Sequence, residues 1–156
     1  NYADYCATAE LWDPVTNVWT ELPPMTKARL SAAGCMLPDG RFAVVGGCTR
    51  PAPSDTDTTT QSDGEMYDCA RNEWTPLPTP IGMVGGGRQF AALVPVAGGM
   101  LICGGDAEDR SVEAELWDEE SKRWLKLPYG NVPFLRGFAR AVAVPVGALC
   151  KAPATS

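Results

Sequence analysis

The 156-residue sequence contains no histidine. That absence removes both the commonest general base and the commonest protein ligand for metals. Cysteine occurs at Cys6, Cys35, Cys48, Cys69, Cys103 and Cys150, but no two are spaced C-x-x-C, so zinc-knuckle and thioredoxin-type motifs are not encoded. Most of these cysteines lie within or beside apolar, strand-like patterns, where a free cysteine behaves as a small buried hydrophobe. A disulfide framework is the other reading, although the chain is not a short, cysteine-dense scaffold. No apolar run approaches the roughly 20 residues needed to cross a bilayer, and no secretory signal is visible. Lys and Arg number 13 against 19 Asp and Glu, a formal charge of −6, and no basic run occurs. Nucleic acid, membrane insertion and anionic membrane surfaces are therefore not expected. The first residue is Asn1 rather than methionine, as expected of a sequence that begins inside a longer polypeptide or after processing. The missing signal and the unpaired cysteines make the cytoplasm the default compartment.

What is present is ordinary in bulk and unusual in order. Apolar residues make up 45% and charged residues 21%, as in a globular domain with its own core. The 16 glycines and 14 prolines suit a fold full of tight turns. One template recurs three times: Glu, apolar, aromatic, Asp, five residues, Trp, two residues, Leu-Pro. The copies are Glu10-Leu11-Trp12-Asp13 with Trp19, Leu22 and Pro23; Glu65-Met66-Tyr67-Asp68 with Trp74, Leu77 and Pro78; and Glu115-Leu116-Trp117-Asp118 with Trp124, Leu127 and Pro128. Glu65 follows Glu10 by 55 residues and Glu115 follows Glu65 by 50. The polar–apolar alternation predicts a half-buried strand, the Asp-Pro and Asn residues a turn, and the Trp a second strand anchored in a blade interior. Leu-Pro is expected to close that strand, because proline cannot donate to a ladder.

A second unit separates the hairpins. It runs from Arg29 through Ala32, Ala33, Gly34 and Met36 to Gly46-Gly47, and again from Arg88 through Phe90, Ala91, Ala92 and Val94 to Gly104-Gly105. Pro38-Asp39-Gly40 and Ala97-Gly98-Gly99 mark tight turns within it. Phe42–Val45 and Met100–Cys103 are nearly continuous apolar runs, as expected of strands buried on both faces. Each repeat of about 50 residues therefore holds four strands, the make-up of a propeller blade.

The glycine pairs, followed by Glu-x-aromatic-Asp and a Trp six residues after the Asp, resemble the kelch repeat over nearly the whole chain. WD40 repeats share the Trp12-Asp13 and Trp117-Asp118 dipeptides, but their period is shorter and their Gly-His element cannot occur without histidine. The resemblance implies an all-β fold, a segment of β-propeller with four-stranded antiparallel blades. Residues 1–150 divide into an outer hairpin (9–23), a blade (29–78), a second blade (88–128) and an inner hairpin (136–150), followed by a tail at 151–156. The spacing from Arg136 to Pro145 matches that from Arg29 to Pro38. Two complete blades and two halves are thus expected to be completed by further blades, a second copy or another subunit. Exposed sheet edges make a stable isolated monomer unexpected.

The resemblance further implies a non-catalytic protein-interaction module, a scaffold or an adaptor such as those that bring substrates to ubiquitin ligases. No cofactor is expected. The alternatives are a structural subunit of a large assembly, or a fragment of a galactose-oxidase-like enzyme whose catalytic residues lie elsewhere; the histidine ligands of such a copper site are absent here. The repeated carboxylates Glu10, Glu65 and Glu115 read as architecture, since a catalytic site would be a constellation that does not repeat. Alternation along the strands puts the turns within hairpins at one end of the sheets and the long connections at the other. Loops on a rigid scaffold concentrate binding residues. The connections carry Arg50, Asp106 and Arg110, and Arg29, Arg88 and Arg136 each begin an inner strand at the same end. Kelch adaptors often grip acidic peptides there, and the arginine fork pairs both oxygens of a carboxylate. These six residues are the candidate partner contacts, with a structural pairing to Glu10, Glu65 or Glu115 as the competing role of Arg29, Arg88 and Arg136.

Overall fold

The computed structural model describes residues 5–50, 57–84, 86–107 and 113–131. The inner hairpin at 136–150 and the tail at 151–156 lie outside the described residues. The chain is all-β. Its strands are β1 (Ala9–Asp13), β2 (Val18–Leu22), β3 (Ala33–Met36), β4 (Phe42–Val45), β5 (Cys48–Thr49), β6 (Thr59–Thr60), β7 (Gly64–Asp68), β8 (Glu73–Leu77), β9 (Arg88–Gln89), β10 (Ala92–Val96), β11 (Gly99–Cys103), β12 (Asp106–Ala107), β13 (Glu113–Asp118) and β14 (Arg123–Asn131). Two antiparallel four-stranded sheets, β3-β4-β7-β8 and β10-β11-β13-β14, are the blades, and β1-β2 is a separate hairpin. Among the described residues no helix is long and apolar enough to cross a membrane.

The Asp of the template makes each outer turn. Asp13 accepts from the Val15 amide at 2.8 Å and the Thr16 hydroxyl at 2.8 Å. Asp68 accepts from the amides of Ala70 and Arg71, and Asp118 from the amide and hydroxyl of Ser121. These are Asx turns, in which the carboxylate stands in for a backbone acceptor. They hold Asp13 and Asp118 below the ordinary aspartate pKa through those hydrogen bonds.

The two blades share one core, in which Met66, Leu77, Met83, Met100, Ile102 and Trp117 are buried together, and β3 of the first blade packs on β10 of the second. The template Trp residues link successive units. The Trp74 indole N–H donates to the Pro23 carbonyl at 2.7 Å, and that of Trp124 to the Pro78 carbonyl at 2.7 Å. Trp124 is 4% exposed as a result. Trp19 departs from the expected blade interior and is 63% exposed. Its hairpin has no neighbouring sheet on that side among the described residues, so the covering surface that Trp124 receives is absent there. β14 also departs from expectation. It runs past Pro128 to Asn131, with a register shift between Glu113 and Glu115 that takes up the irregularity.

The glycine pairs have a steric cause. Gly46 and Gly47 have φ of +71° and +87°, and Gly104 and Gly105 have +64° and +94°. A side chain at Gly46 would run into the backbone carbonyl of Arg88, the first residue of the next blade. The same approach brings the Gly47 amide to the Arg88 carbonyl at 2.7 Å. Gly40 has a comparable φ of +88°, but a Cβ there meets nothing within 4 Å. The pair separates conformational strain from close approach. Gly40→Ala is expected to cost about 1–2 kcal/mol, and Gly46→Ala about 1–3 kcal/mol more. Urea denaturation of the two variants measures the difference, and equal costs would refute the close-approach account.

Candidate partner-binding end

Two sets of loops leave the sheets at opposite ends. At one end the inner and outer turns meet: the Glu119 amide donates to the Gly98 carbonyl at 2.9 Å, and the Arg41 guanidinium of the first blade reaches Glu119 of the second at 2.5 Å. Arg41 also pairs with Asp39, and Lys122 contacts Glu119. Burial opposes the charge on Glu119, yet Lys122 and Arg41 outweigh it and hold the carboxyl below its ordinary value. This end is a set of locked turns.

The connection end is built on a buried ion pair in each blade. Glu65 on β7 is 2% exposed and Glu115 on β13 is fully buried. Glu65 accepts from the Thr26 amide at 2.8 Å and from the Arg29 guanidinium at 3.1 Å. Arg29 also donates to the carbonyls of Gly46 and Asp63 and to the Asp63 carboxylate at 2.9 Å. In the second blade Glu115 accepts from the amides of Ile81 and Gly82, the Arg88 guanidinium stands 3.9 Å from it, and Arg88 donates to the Glu113 carbonyl at 3.1 Å. The template glutamate thus anchors both the arginine that starts its blade and the segment that enters it. Burying a carboxylate this deeply is costly unless its oxygens are answered by such partners.

A ribbon of short backbone pairings runs across the same end. The Arg29 amide donates to the Cys6 carbonyl, Leu30 and Cys48 exchange hydrogen bonds at 2.8 Å, and β5 pairs with β6. The Gln61 amide then donates to Gly47, Arg88 to Gln61, and β9 pairs with β12. Among the described residues, the connection after Gly46-Gly47 is tied to the second blade through Gln61 and Arg88, and the start of the one after Gly104-Gly105 to its own blade through β9 and β12.

The candidate contacts fall into three groups on this scaffold. Arg29 and Arg88 lie at the connection end and are buried, with relative exposures of 6% and 1%. Their guanidiniums are directed inward onto Glu65 and Glu115, so they have no surface to present to a partner, and their geometry is that of the architectural role. Arg50 directly follows β5 and Asp106 opens β12. Arg50 is half-buried with its guanidinium 5.3 Å from the centre of the Tyr5 ring, and its buried Nε makes no hydrogen bond among the described residues. Asp106 is exposed on β12, opposite Gln89. Arg110 and Arg136 lie outside the described residues. Glu10 is exposed.

Sequence reasoning missed Tyr5, which stacks on Arg50, and Asp63, which joins Lys27 to Arg29. Burial opposes the charge on Asp63, but Lys27 and Arg29 prevail and hold its carboxyl below its ordinary value. The signal for Asp63 was available, since an acidic residue stands two positions before the template glutamate in both full blades, as Asp63 and as Glu113. Cys35, Cys48 and Cys103 are buried and Cys6 and Cys69 exposed, all as free thiols, and burial pushes Cys35 up to about 11. Among the described residues no group of three His, Cys, Asp or Glu side chains is arranged to hold a metal.

Four-stranded antiparallel blades, tied by Trp-to-carbonyl bonds and begun by a buried arginine, define a repeat-built β-propeller. The kelch motif profile matches residues 1–26 and 29–81. The chain belongs to the kelch-repeat family. It is 29% identical over 133 residues to the F-box/kelch-repeat protein At1g26930 of Arabidopsis thaliana, covering 81% of this chain and 30% of that protein. The F-box/kelch-repeat protein SKIP20 of the same organism is 31% identical over 126 residues, covering 75% of this chain and 29% of its own length. The chain spans less than a third of the length of these curated relatives.

The buried pair gives a direct test of the architectural role. Arg29→Met leaves Glu65 buried without its cation and is expected to cost about 3–5 kcal/mol. Arg50→Met, which removes no hydrogen-bonded partner, is expected to stay within about 1 kcal/mol. Guanidinium denaturation measures both, and a near-neutral Arg29→Met would overturn the assignment.

Proposed function

We propose that this kelch-repeat chain is a non-catalytic protein-interaction module, a scaffold or adaptor, that holds a protein partner on the connection end of its blades. The observation that carries this reading is the contrast between the two ends. At the turn end the same Asp-made turn recurs from unit to unit. At the connection end the segments after the two glycine pairs differ in length and content, 48–63 against 106–112, although a common ribbon anchors both. Connections that differ between blades but whose described ends are pinned by backbone pairing suit recognition. The F-box/kelch-repeat names of the relatives support the same class.

Within that end, Arg50 is the leading contact. Its guanidinium is held against the Tyr5 ring and the residue is only half-buried, so it keeps surface with which to meet a partner carboxylate. Arg110 and Arg136 join it as proposed contacts from their places in the repeat, and Asp106 adds an exposed carboxylate for a basic group on the partner. Arg29 and Arg88 act indirectly, by holding the connections in place. In the full-length protein, Arg50→Glu combined with Arg110→Glu should reduce capture of co-purifying proteins, scored by quantitative mass spectrometry, while the melting temperature stays within about 2 °C. Undiminished capture of every partner would remove this face from consideration.

A further inference from the structure

The short β5–β6 pairing sets Cys48 opposite Thr60 and Thr49 opposite Thr59. Carried one residue further, the same register puts Arg50 opposite Thr58. Residues directly opposed in an antiparallel pair project to the same face, with Cβ atoms roughly 5 Å apart. Thr58 is exposed. Its two neighbours are differently occupied: Thr59 opposes Thr49, and the Thr60 hydroxyl accepts from the Gly87 amide at 3.2 Å. Of the three consecutive threonines, Thr58 is the one set against a cation.

The Arg50 guanidinium is turned away from it. Tyr5 precedes Cys6, which pairs with Arg29, and Leu30 pairs with Cys48. The segment carrying Tyr5 therefore lies to one side of β5, and β6 with Thr58 to the other. The guanidinium lies 5.3 Å from the centre of the Tyr5 ring, and its buried Nε makes no hydrogen bond among the described residues. A ring face is a weaker hold on a guanidinium than a charge-assisted hydrogen bond. Between Pro51 and Ala70 the sequence has no lysine or arginine, and Asp55 and Asp57 precede Thr58.

We propose that Thr58 is a phosphorylation site whose phosphate draws the Arg50 guanidinium off Tyr5 and across β5, withdrawing it from a protein partner. The donor is ATP, used by a protein kinase that accepts acidic flanks. The Thr58 Oγ1 takes the γ-phosphoryl group, its proton passes to a base of the kinase, and ADP leaves. The product carries about −1.5 to −2 charge at pH 7 and three strong acceptor oxygens. The planar guanidinium fork engages two such oxygens at once. Asp57, the preceding residue, repels the phosphate, which sharpens its dependence on Arg50. One arginine thus has two states, on Tyr5 without phosphate and on Thr58 with it. The effect on a partner rests on Arg50 being a partner contact; capture of the phosphate does not.

Full-length protein with phosphothreonine installed at position 58 during translation tests both halves. Phosphorus NMR follows the loss of the phosphate's second proton, with Arg50→Met as the reference. Pairing with Arg50 is expected to lower the midpoint by about one pH unit relative to Arg50→Met, a roughly tenfold change in proton affinity. Phosphothreonine at position 59 is expected to show no such dependence. Equal midpoints with and without Arg50, or the same dependence at position 59, would overturn the switch whatever a partner does. Phosphopeptide mass spectrometry of the protein from its native source is expected to find phosphate on Thr58, and its absence there would overturn the modification. Phosphorylated protein is expected to lose the same co-purifying proteins as Arg50→Glu. Partners lost by Arg50→Glu but kept on phosphorylation would overturn the regulation alone. Partners indifferent to both would overturn it together with the role of Arg50 as a contact, while the phosphorus titration still reads the capture.

Discussion

Everything at the connection end depends on a carboxylate buried inside each blade. Glu65 and Glu115 sit on the third strand of their sheets, yet their oxygens reach the amides of the entering segment and the arginine that stands four residues before the first strand. One side chain therefore ties the beginning of a blade to its middle. A charge in that position is costly unless each lone pair is answered, so the entering segment has little freedom to shift. The arginine's own carbonyl lies against the preceding glycine pair, where only glycine allows the approach. Carboxylate, guanidinium and glycine pair form one device that sets both the start of a blade and its distance from the last.

The division of labour between the two ends follows from it. With the blade entry held from inside, the ribbon of short pairings can cross from unit to unit with no regular strand longer than two residues. At the opposite end, the Asx turns and the Arg41–Glu119 contact use the turn residues for joining blades. The protein-interaction reading rests on that asymmetry: one end is consumed by architecture, and the other presents side chains on an architecture already complete.

Much of this was legible in the sequence because the repeat supplies its own control. The identical spacing of Glu, aromatic, Asp, Trp and Leu-Pro in three copies gave the hairpins, and the apolar runs at 42–45 and 100–103 gave the buried strands. The template arginines were ambiguous for a physical reason. A strand's first residue is at the sheet's end, but a long side chain there can turn either outward or back along the sheet, and spacing alone does not choose. Trp19 was placed in a blade interior because it repeats, whereas burial depends on the neighbouring sheet, which a local template does not contain. The Arg41–Glu119 contact and the stacking of Arg50 on Tyr5 join residues 78 and 45 positions apart with no repeated counterpart, so no pattern announced them.

Hydrogen-exchange footprinting of the full-length protein, free and bound to a co-purified partner, tests the central claim most directly. The account predicts slowed exchange on binding along the connection end, at 48–63, 86–89 and 106–112, and unchanged exchange at the outer and inner turns near 14–17, 38–41, 69–72 and 119–122. Protection confined to those turns, with the connections unaffected, would contradict it.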